Sequence, residues 1–368
     1  MQSHYLARMI LHSMPKEKLV RNFAGIRLGA ACILGVSLVS CSGSSAGGGA
    51  AEAVKLQGAG ASFPAPIYSK WFKSYGAAHP NVQIDYQSVG SGSGVKSFID
   101  KTVDFGASDS AMTPEEIGRV DPALGVQLLP MTAGSIVLTY NLPDVKDLKL
   151  SRKAYSGIFL GTVKKWNDPA IAKDNPGVKL PDSPINVVVR ADSSGTTFVF
   201  SQHLTAINPE FAKSPGTSKM PNWPVGTRSK GNEGVTASVK TTPGSIGYIE
   251  YGYAKSQDMP MAILENKSGA YVAASTASGQ AALASAQLPD NLIAWVADPE
   301  PKDAYPIVTY TWLLVNRKYQ KSKLTALQDL LKYSLTEGQK DAESLGYIPM
   351  PAPVVERVKA AVDTLTAS

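Results

Sequence analysis

Apolar positions along the chain follow two different periods. Short β-branched or alternating runs at Val54 to Gln57, Val82 to Tyr86, Val103 to Ser110, Ser135 to Tyr140, Ile185 to Val189 and Gly244 to Glu250 read as strands. Other segments repeat at three and four residues. Tyr68, Trp71, Phe72 and Tyr75 share one helix face, and Thr197 to Leu204 reads as a second helix after a strand bounded by Pro184. Thr113-Pro114-Glu115-Glu116 opens a further helix, with proline at its start and acids in its first turn. Tyr305 to Val315 is a long apolar strand, followed by helices around Leu324 to Thr336 and through Val354, Val358, Val362 and Leu365. The aromatic stripe at 68–75 is expected in the core. Strand, turn and helix recurring in this way predict an α/β fold with a mostly parallel sheet.

The chemistry concentrates in the turns. Gly58 to Pro64 and Ser88 to Gly94 are glycine-rich, and Arg190-Ala191-Asp192-Ser193-Ser194-Gly195-Thr196-Thr197-Phe198 places hydroxyls, a glycine and an arginine where a helix begins. In open α/β sheets ligands lie beyond the carboxyl ends of strands, the edge all three turns occupy. The first N–H groups of a helix lack intrahelical partners and carry the positive end of its dipole, so such a turn can seat a tetrahedral anion. Ser and Thr are also the favoured N-cap residues, so one turn alone is equally an ordinary cap.

Charge and cysteine usage narrow the classes. The chain has 368 residues and a formal charge of +6, with 18% charged and 43% hydrophobic residues. Arg8, Lys16, Lys18, Arg21 and Arg27 against Glu17 put a surplus of four in the first 40 residues, leaving 31 basic and 29 acidic residues beyond them. A nucleic-acid binder would need a basic stripe in that body, so nucleic acid is not an expected partner. Lys16 to Arg27 followed by the apolar run Leu28 to Val39 reads as a signal peptide over residues 1–40, its apolar run too short for a permanent span. Leu38-Val39-Ser40-Cys41 resembles a bacterial lipobox, which predicts lipidation of Cys41 and membrane anchorage through it. A flexible Gly/Ser/Ala linker over residues 41–53 follows. With Cys32 lost in the leader and Cys41 acylated, thiolate metal sites and disulfides are excluded.

Familiar catalytic motifs fail one by one. Val95 separates Gly94 from Lys96 and occupies the last glycine position of a dinucleotide fingerprint, so neither nucleotide loop is present. Downstream of the leader only His79 and His203 occur, in no metal-type spacing, and no Gly-x-Ser-x-Gly elbow appears. Asp109 after its strand could be a nucleophile, but no companion acids and lysine accompany it, and a lone aspartate there can equally be a helix cap. Converging oxyanion donors without catalytic apparatus fit capture without chemistry, with no metal or cofactor and no enzymatic activity.

Gly58 to Pro66, Val103 to Ser110, Leu160 to Asp168, Arg190 to Phe200, Gly231-Asn232-Glu233-Gly234 and Gly244 to Ala254 together resemble the periplasmic phosphate-binding protein of the bacterial ABC phosphate transporter, from about Leu56 to the last helix. The resemblance implies a periplasmic-binding-protein-like fold of two Rossmann-like α/β lobes on a two-strand hinge, with the ligand cleft between them. It places 54–131 and 306–368 in one lobe and 132–305 in the other, with crossings near Pro130 to Gly134 and Ala304 to Ile307. It implies a monomer that binds inorganic phosphate outside the cytoplasmic membrane and delivers it to membrane permease subunits. Ser62, the Phe63 backbone N–H, Ser91 and Asp109 would grip phosphate from one side, and Arg190, Ser194, Gly195 and Thr196 from the other. Ser62 stands where most family members have Thr, and Ser93 replaces a family glycine. Asp192 would hold the Arg190 fork. The rivals are a binder of arsenate or sulfate, a surface phosphatase, and an anchored sensor or adhesin.

Overall fold

The computed structural model describes residues 53–368. The leader, Cys41 and the linker as far as Glu52 lie outside the described residues. No helix among the described residues is long and apolar enough to cross a membrane.

The first half of the fold runs β1 (Val54–Gly60), α1 (Ala65–Ala78), β2 (Val82–Ser88), α2 (Ser91–Ile99) and β3 (Phe105–Ser108). The chain leaves it through the 14-residue strand β4 (Gln127–Tyr140). The second half contributes β5 (Asn186–Arg190), α3 (Gly195–Ile207), β6 (Thr227–Ser229), α4 (Gly231–Thr241) and β7 (Ser245–Glu250). It returns along β8 (Val308–Val315), then α5 (Lys321–Leu335) and α6 (Ala352–Asp363). The eight strands form one sheet in the order β2-β1-β3-β8-β4-β7-β5-β6.

β2, β1 and β3 are parallel at one end, and β7, β5 and β6 are parallel at the other. The two strands between them are antiparallel to every neighbour, which corrects the expectation of a mostly parallel sheet at its centre. A strand that leaves one half over its carboxyl edge enters the other half from that same edge, so it must run against the strands it joins. β4 shows the handover directly: Gln127 to Ser135 pairs with β8, and Ile136 to Tyr140 pairs with β7. The register slips where Thr311 faces Thr132 but Trp312 faces Pro130, so Met131 is an extra residue that bends the strand. Pro130, lacking an N–H, sits beside that irregularity.

Two predicted turns are shorter than expected, for one reason. β1 continues through Gly58 to Gly60 because β3 packs against it so closely that a Cβ on Gly60 would lie 2.1 Å from the Ala107 carbonyl oxygen. The glycine run after β2 is already the first turn of α2, where a Cβ on Gly94 would lie 2.4 Å from the Gly60 Cα. These glycines mark backbone touching backbone inside elements. Ser93 lies in that regular helix with its side chain exposed. Helix α3 likewise begins two residues earlier than its apolar period suggests, at Gly195.

Tyr68, Trp71, Phe72 and Tyr75 are buried as expected, and the Trp71 indole N–H donates to the Gly338 carbonyl at 2.7 Å, tying α1 to the C-terminal segment. In the second half His203 is buried between the Tyr155 hydroxyl, 2.9 Å from Nε2, and the Ala297 carbonyl, 2.8 Å from Nδ1. Burial pulls its pKa down to about 4. A histidine more easily protonated when unfolded stabilises the fold above about 6.5, and that contribution is lost as pH falls toward 4. Stability should therefore drop by about 3 kcal/mol across that window. His203→Gln should flatten the acid limb of denaturant-unfolding curves; an unchanged limb would assign the slope to other groups.

Candidate functional site

Each side chain at the centre of the sheet is placed by an element end. Ser62 and Phe63 form the turn from β1 into α1, with Pro64 at the helix N-cap. Ser91 starts α2, Asp109 follows β3, Arg190 ends β5, and Ser194 caps α3 by accepting from the Thr197 N–H at 3.0 Å. Its oxygen is thus an ordinary helix cap, while its hydroxyl hydrogen donates to no protein group. All eight predicted contact residues are buried.

The loop 61–63 is held from behind by three tyrosines. The hydroxyls of Tyr86, Tyr253 and Tyr347 donate to the carbonyls of Ala61, Ser62 and Phe63 at 2.6, 2.7 and 2.7 Å. Peptide planarity sends the N–H groups of Ser62 and Phe63 in the opposite sense to the first two carbonyls. That is the orientation an anion on the other side requires.

Arg190 is the only guanidinium among these residues, and its side chain is 2% exposed. Its Nε and Nη2 fork onto Asp192 at 2.8 and 2.6 Å, and Asp192 Oδ1 also accepts from the Gly231 N–H at 3.0 Å. Asp192 thus fixes the plane of the guanidinium. The remaining nitrogen, Nη1, is buried with no protein partner.

Asp109 joins the two halves. Its Oδ2 accepts from the Thr196 hydroxyl at 3.1 Å and its Oδ1 from the Thr311 hydroxyl at 3.0 Å, while its N–H donates to Ser91 Oγ at 3.3 Å. Burial is the largest influence and raises its pKa to about 7; the Thr311 hydroxyl, Arg190 and Thr196 pull the other way. Glu250, at the end of β7, is also fully buried, and burial pushes its carboxyl well above the usual range.

Ser62 Oγ accepts from the Asn232 backbone N–H at 3.0 Å and from its Nδ2 at 2.9 Å. The Gly92 N–H donates to the Ser193 carbonyl at 2.9 Å, so the starts of α2 and α3 meet, and Lys219 pairs with Glu116 at 2.8 Å between the segments that follow α3 and β3. Beside this junction opens a groove of about 790 Å³ lined in part by Ser93, Asp192, Ser193 and Lys230. At Gly195 an added Cβ would fall 2.5 Å from Ser91 Oγ and 2.8 Å from the Asp109 N. Gly195→Ala should therefore leave the melting temperature of the ligand-free protein within a few degrees yet hinder closure, lowering anion affinity at least tenfold by calorimetry. Unchanged affinity would mean the halves bind without meeting here.

Among the described residues no cluster of three or more His, Cys, Asp or Glu side chains could hold a metal. What converges instead is a set of donors, one guanidinium nitrogen and one carboxylate. The model of the PBP superfamily domain matches residues 45–337. The chain is 40% identical over 316 residues to the phosphate-binding protein PstS of Pasteurella multocida, covering 84% of this chain and 90% of that protein. The chain belongs to the PstS family. A PstS of Methanocaldococcus jannaschii is 38% identical over 322 residues, covering 81% and 82% of the two chains. The fold is likewise that of a high-affinity periplasmic phosphate-binding protein, PfluDING, solved with phosphate bound, with a TM-score of 0.69 at 20% identity over 83% of this chain and 93% of that one.

Family membership accounts for the two-lobed architecture on its crossing strands. Not all of the site was foreseen from the sequence. Thr311 was missed, although a hydroxyl within the apolar run 305–315 was a usable signal. Asn232 stood within the family motif 231–234 with no role assigned to it. Tyr253 likewise stood within the family motif 244–254 with no role assigned, and Tyr86 and Tyr347 carried no local signal of this role, since all three act on carbonyls 25 to 284 residues away.

Proposed function

We propose that this PstS-family protein captures inorganic phosphate outside the cytoplasmic membrane and passes it to the permease of an ABC phosphate transporter. The supporting observation is Arg190 Nη1, a buried cationic donor left without a protein partner on a guanidinium near enough to Asp109 to lower its pKa, while Asp109 itself sits where the helix starts at Ser91 and Gly195 converge. Such an atom is costly to bury unless a ligand satisfies it. Phosphate would take Nη1 together with the hydroxyls of Ser62, Ser91 and Ser194, the N–H groups of Phe63, Gly195 and Thr196, and the Asp109 carboxylate. Asp192 would keep the guanidinium rigid.

Residues 54–131 with 306–368 form one moving lobe in this reading, and 132–305 form the other. Closure brings α2 onto α3 and is the signal that the permease reads. Cys41 would carry the lipid anchor, with the linker after it giving a monomeric body its reach from the membrane surface. No bond in the ligand is broken: the site offers donors and an acceptor and no nucleophile activated by a base.

Calorimetric titration of the leader-free protein tests this reading. Phosphate should bind saturably at one site per chain, and a large excess of sulfate should not compete. Turnover of a phosphomonoester, or equal affinity for the two anions, would overturn it.

A further inference from the structure

Building on the phosphate reading, we infer that Asn232 is a positioning residue that dictates where the hydroxyl hydrogens of Ser62 and Thr196 point. Asn232 is fully buried as the second residue of α4. Its Oδ1 accepts from the Glu250 backbone N–H at 2.9 Å. A backbone N–H can be met only by the oxygen end of the amide, so the Nδ2 end is forced toward the site. There it donates to Ser62 Oγ at 2.9 Å and to Thr196 Oγ1 at 3.3 Å, while the Asn232 backbone N–H also reaches Ser62 Oγ at 3.0 Å.

A serine hydroxyl has two lone pairs and one hydrogen. With both lone pairs of Ser62 taken by Asn232, its remaining capacity is to donate. Thr196 accepts from the amide and turns its hydrogen to Asp109 Oδ2, 3.1 Å away. One backbone N–H on β7 thereby sets a chain of directions: the Asn232 amide gives, Ser62 gives onward to the anion, and Thr196 gives to the carboxylate that must stay an acceptor. An oxyanion needs donors already aimed at it, and aiming them beforehand avoids reorganisation on binding.

Asn232 contacts Ser62 across the junction between the halves, since Ser62 follows β1 and Asn232 follows β6. The direction is therefore imposed only when the halves meet. In the separated state the Ser62 hydroxyl rotates freely, and closure converts it into a committed donor.

The test is a double-mutant cycle on the purified full-length protein, with phosphate affinity read by calorimetry and the melting temperature of each ligand-free variant recorded. Ser62→Ala in the natural protein should weaken binding by about ten- to a hundredfold. Asn232→Asp keeps the shape and the bond from Glu250 but presents an acceptor where the amide donated, so the Ser62 hydrogen turns away from the anion. In that background Ser62→Ala should cost less than about threefold. Multiplying losses would overturn the inference, because a residue that merely holds the fold leaves the Ser62 contribution intact. A second arm uses Asn232→Ser, too short to span both partners. Phosphate dissociation should then quicken by about tenfold or more with association unchanged, and an unaltered dissociation rate would count against the proposal. Failure of the natural protein to bind phosphate would sink the phosphate reading itself, whereas binding with multiplicative losses sinks only the role of Asn232.

Discussion

Replacing Arg190 with methionine should lower phosphate affinity by roughly three orders of magnitude, the largest single effect expected in this protein. Two separate losses combine. The anion loses Nη1, the one cationic donor without a protein partner, and Asp192 loses the fork that neutralises it. Asp192 keeps the Gly231 N–H, but an uncompensated carboxylate then faces an incoming anion. The Arg190 charge also holds Asp109 lower than burial alone would, so its removal should raise the Asp109 pKa further. Arg190→Lys should recover only part of the loss, because a point charge cannot fork onto Asp192 and reach a ligand with a fixed third nitrogen. Calorimetry with phosphate checks both variants; a methionine variant within tenfold of the natural protein would remove Arg190 from the site.

The second large effect is on discrimination. Phosphate keeps at least one proton near neutral pH and can donate it to the Asp109 carboxylate, whereas sulfate would set acceptor against acceptor in a closed site. Sites built around a ligand hydroxyl reject analogues lacking it by on the order of ten thousand-fold, because buried polar partners go unpaired. Asp109→Asn supplies a donor in place of the acceptor and should bring the two anions to within about tenfold of each other at pH 8. Lowering the pH should mimic it. A carboxyl whose pKa is raised to about 7 takes up its proton as pH falls through that value and becomes a donor. Sulfate binding to the natural protein should therefore strengthen below pH 7 and stay flat in the asparagine variant. A sulfate affinity with the same pH profile in both proteins would dissociate Asp109 from selectivity.

Both effects depend on parts that differ in how plainly they stand in the chain. The element types follow from apolar periodicity, which is local: a strand buries alternate or consecutive residues and a helix buries every third and fourth, whatever lies beyond. The hydroxyl and glycine turns are local too, so the three turns, Asp109 and Arg190 could be singled out before any contact was known, and the family resemblance then named Ser62, Ser91, Ser194, Gly195 and Thr196 within those turns. Glycine is where local reasoning erred. Gly58, Gly60 and Gly94 looked like turn residues, yet each is small because a neighbouring element presses on it. Nothing within a few residues distinguishes those two causes.

By itself the sequence determined the alternation of strands and helices, the family, and which short turns carry polar chemistry, because all three are written in short continuous stretches of the chain. Only the tertiary structure decided that β4 and β8 run against their neighbours, that Asn232 and Thr311 face residues 170 and 202 positions away, and that one arginine nitrogen is left over. The reason is physical: a hydrogen bond fixes direction between groups near in space, and a closed cleft made from two separate stretches of chain exists only once the strands that cross between them have paired.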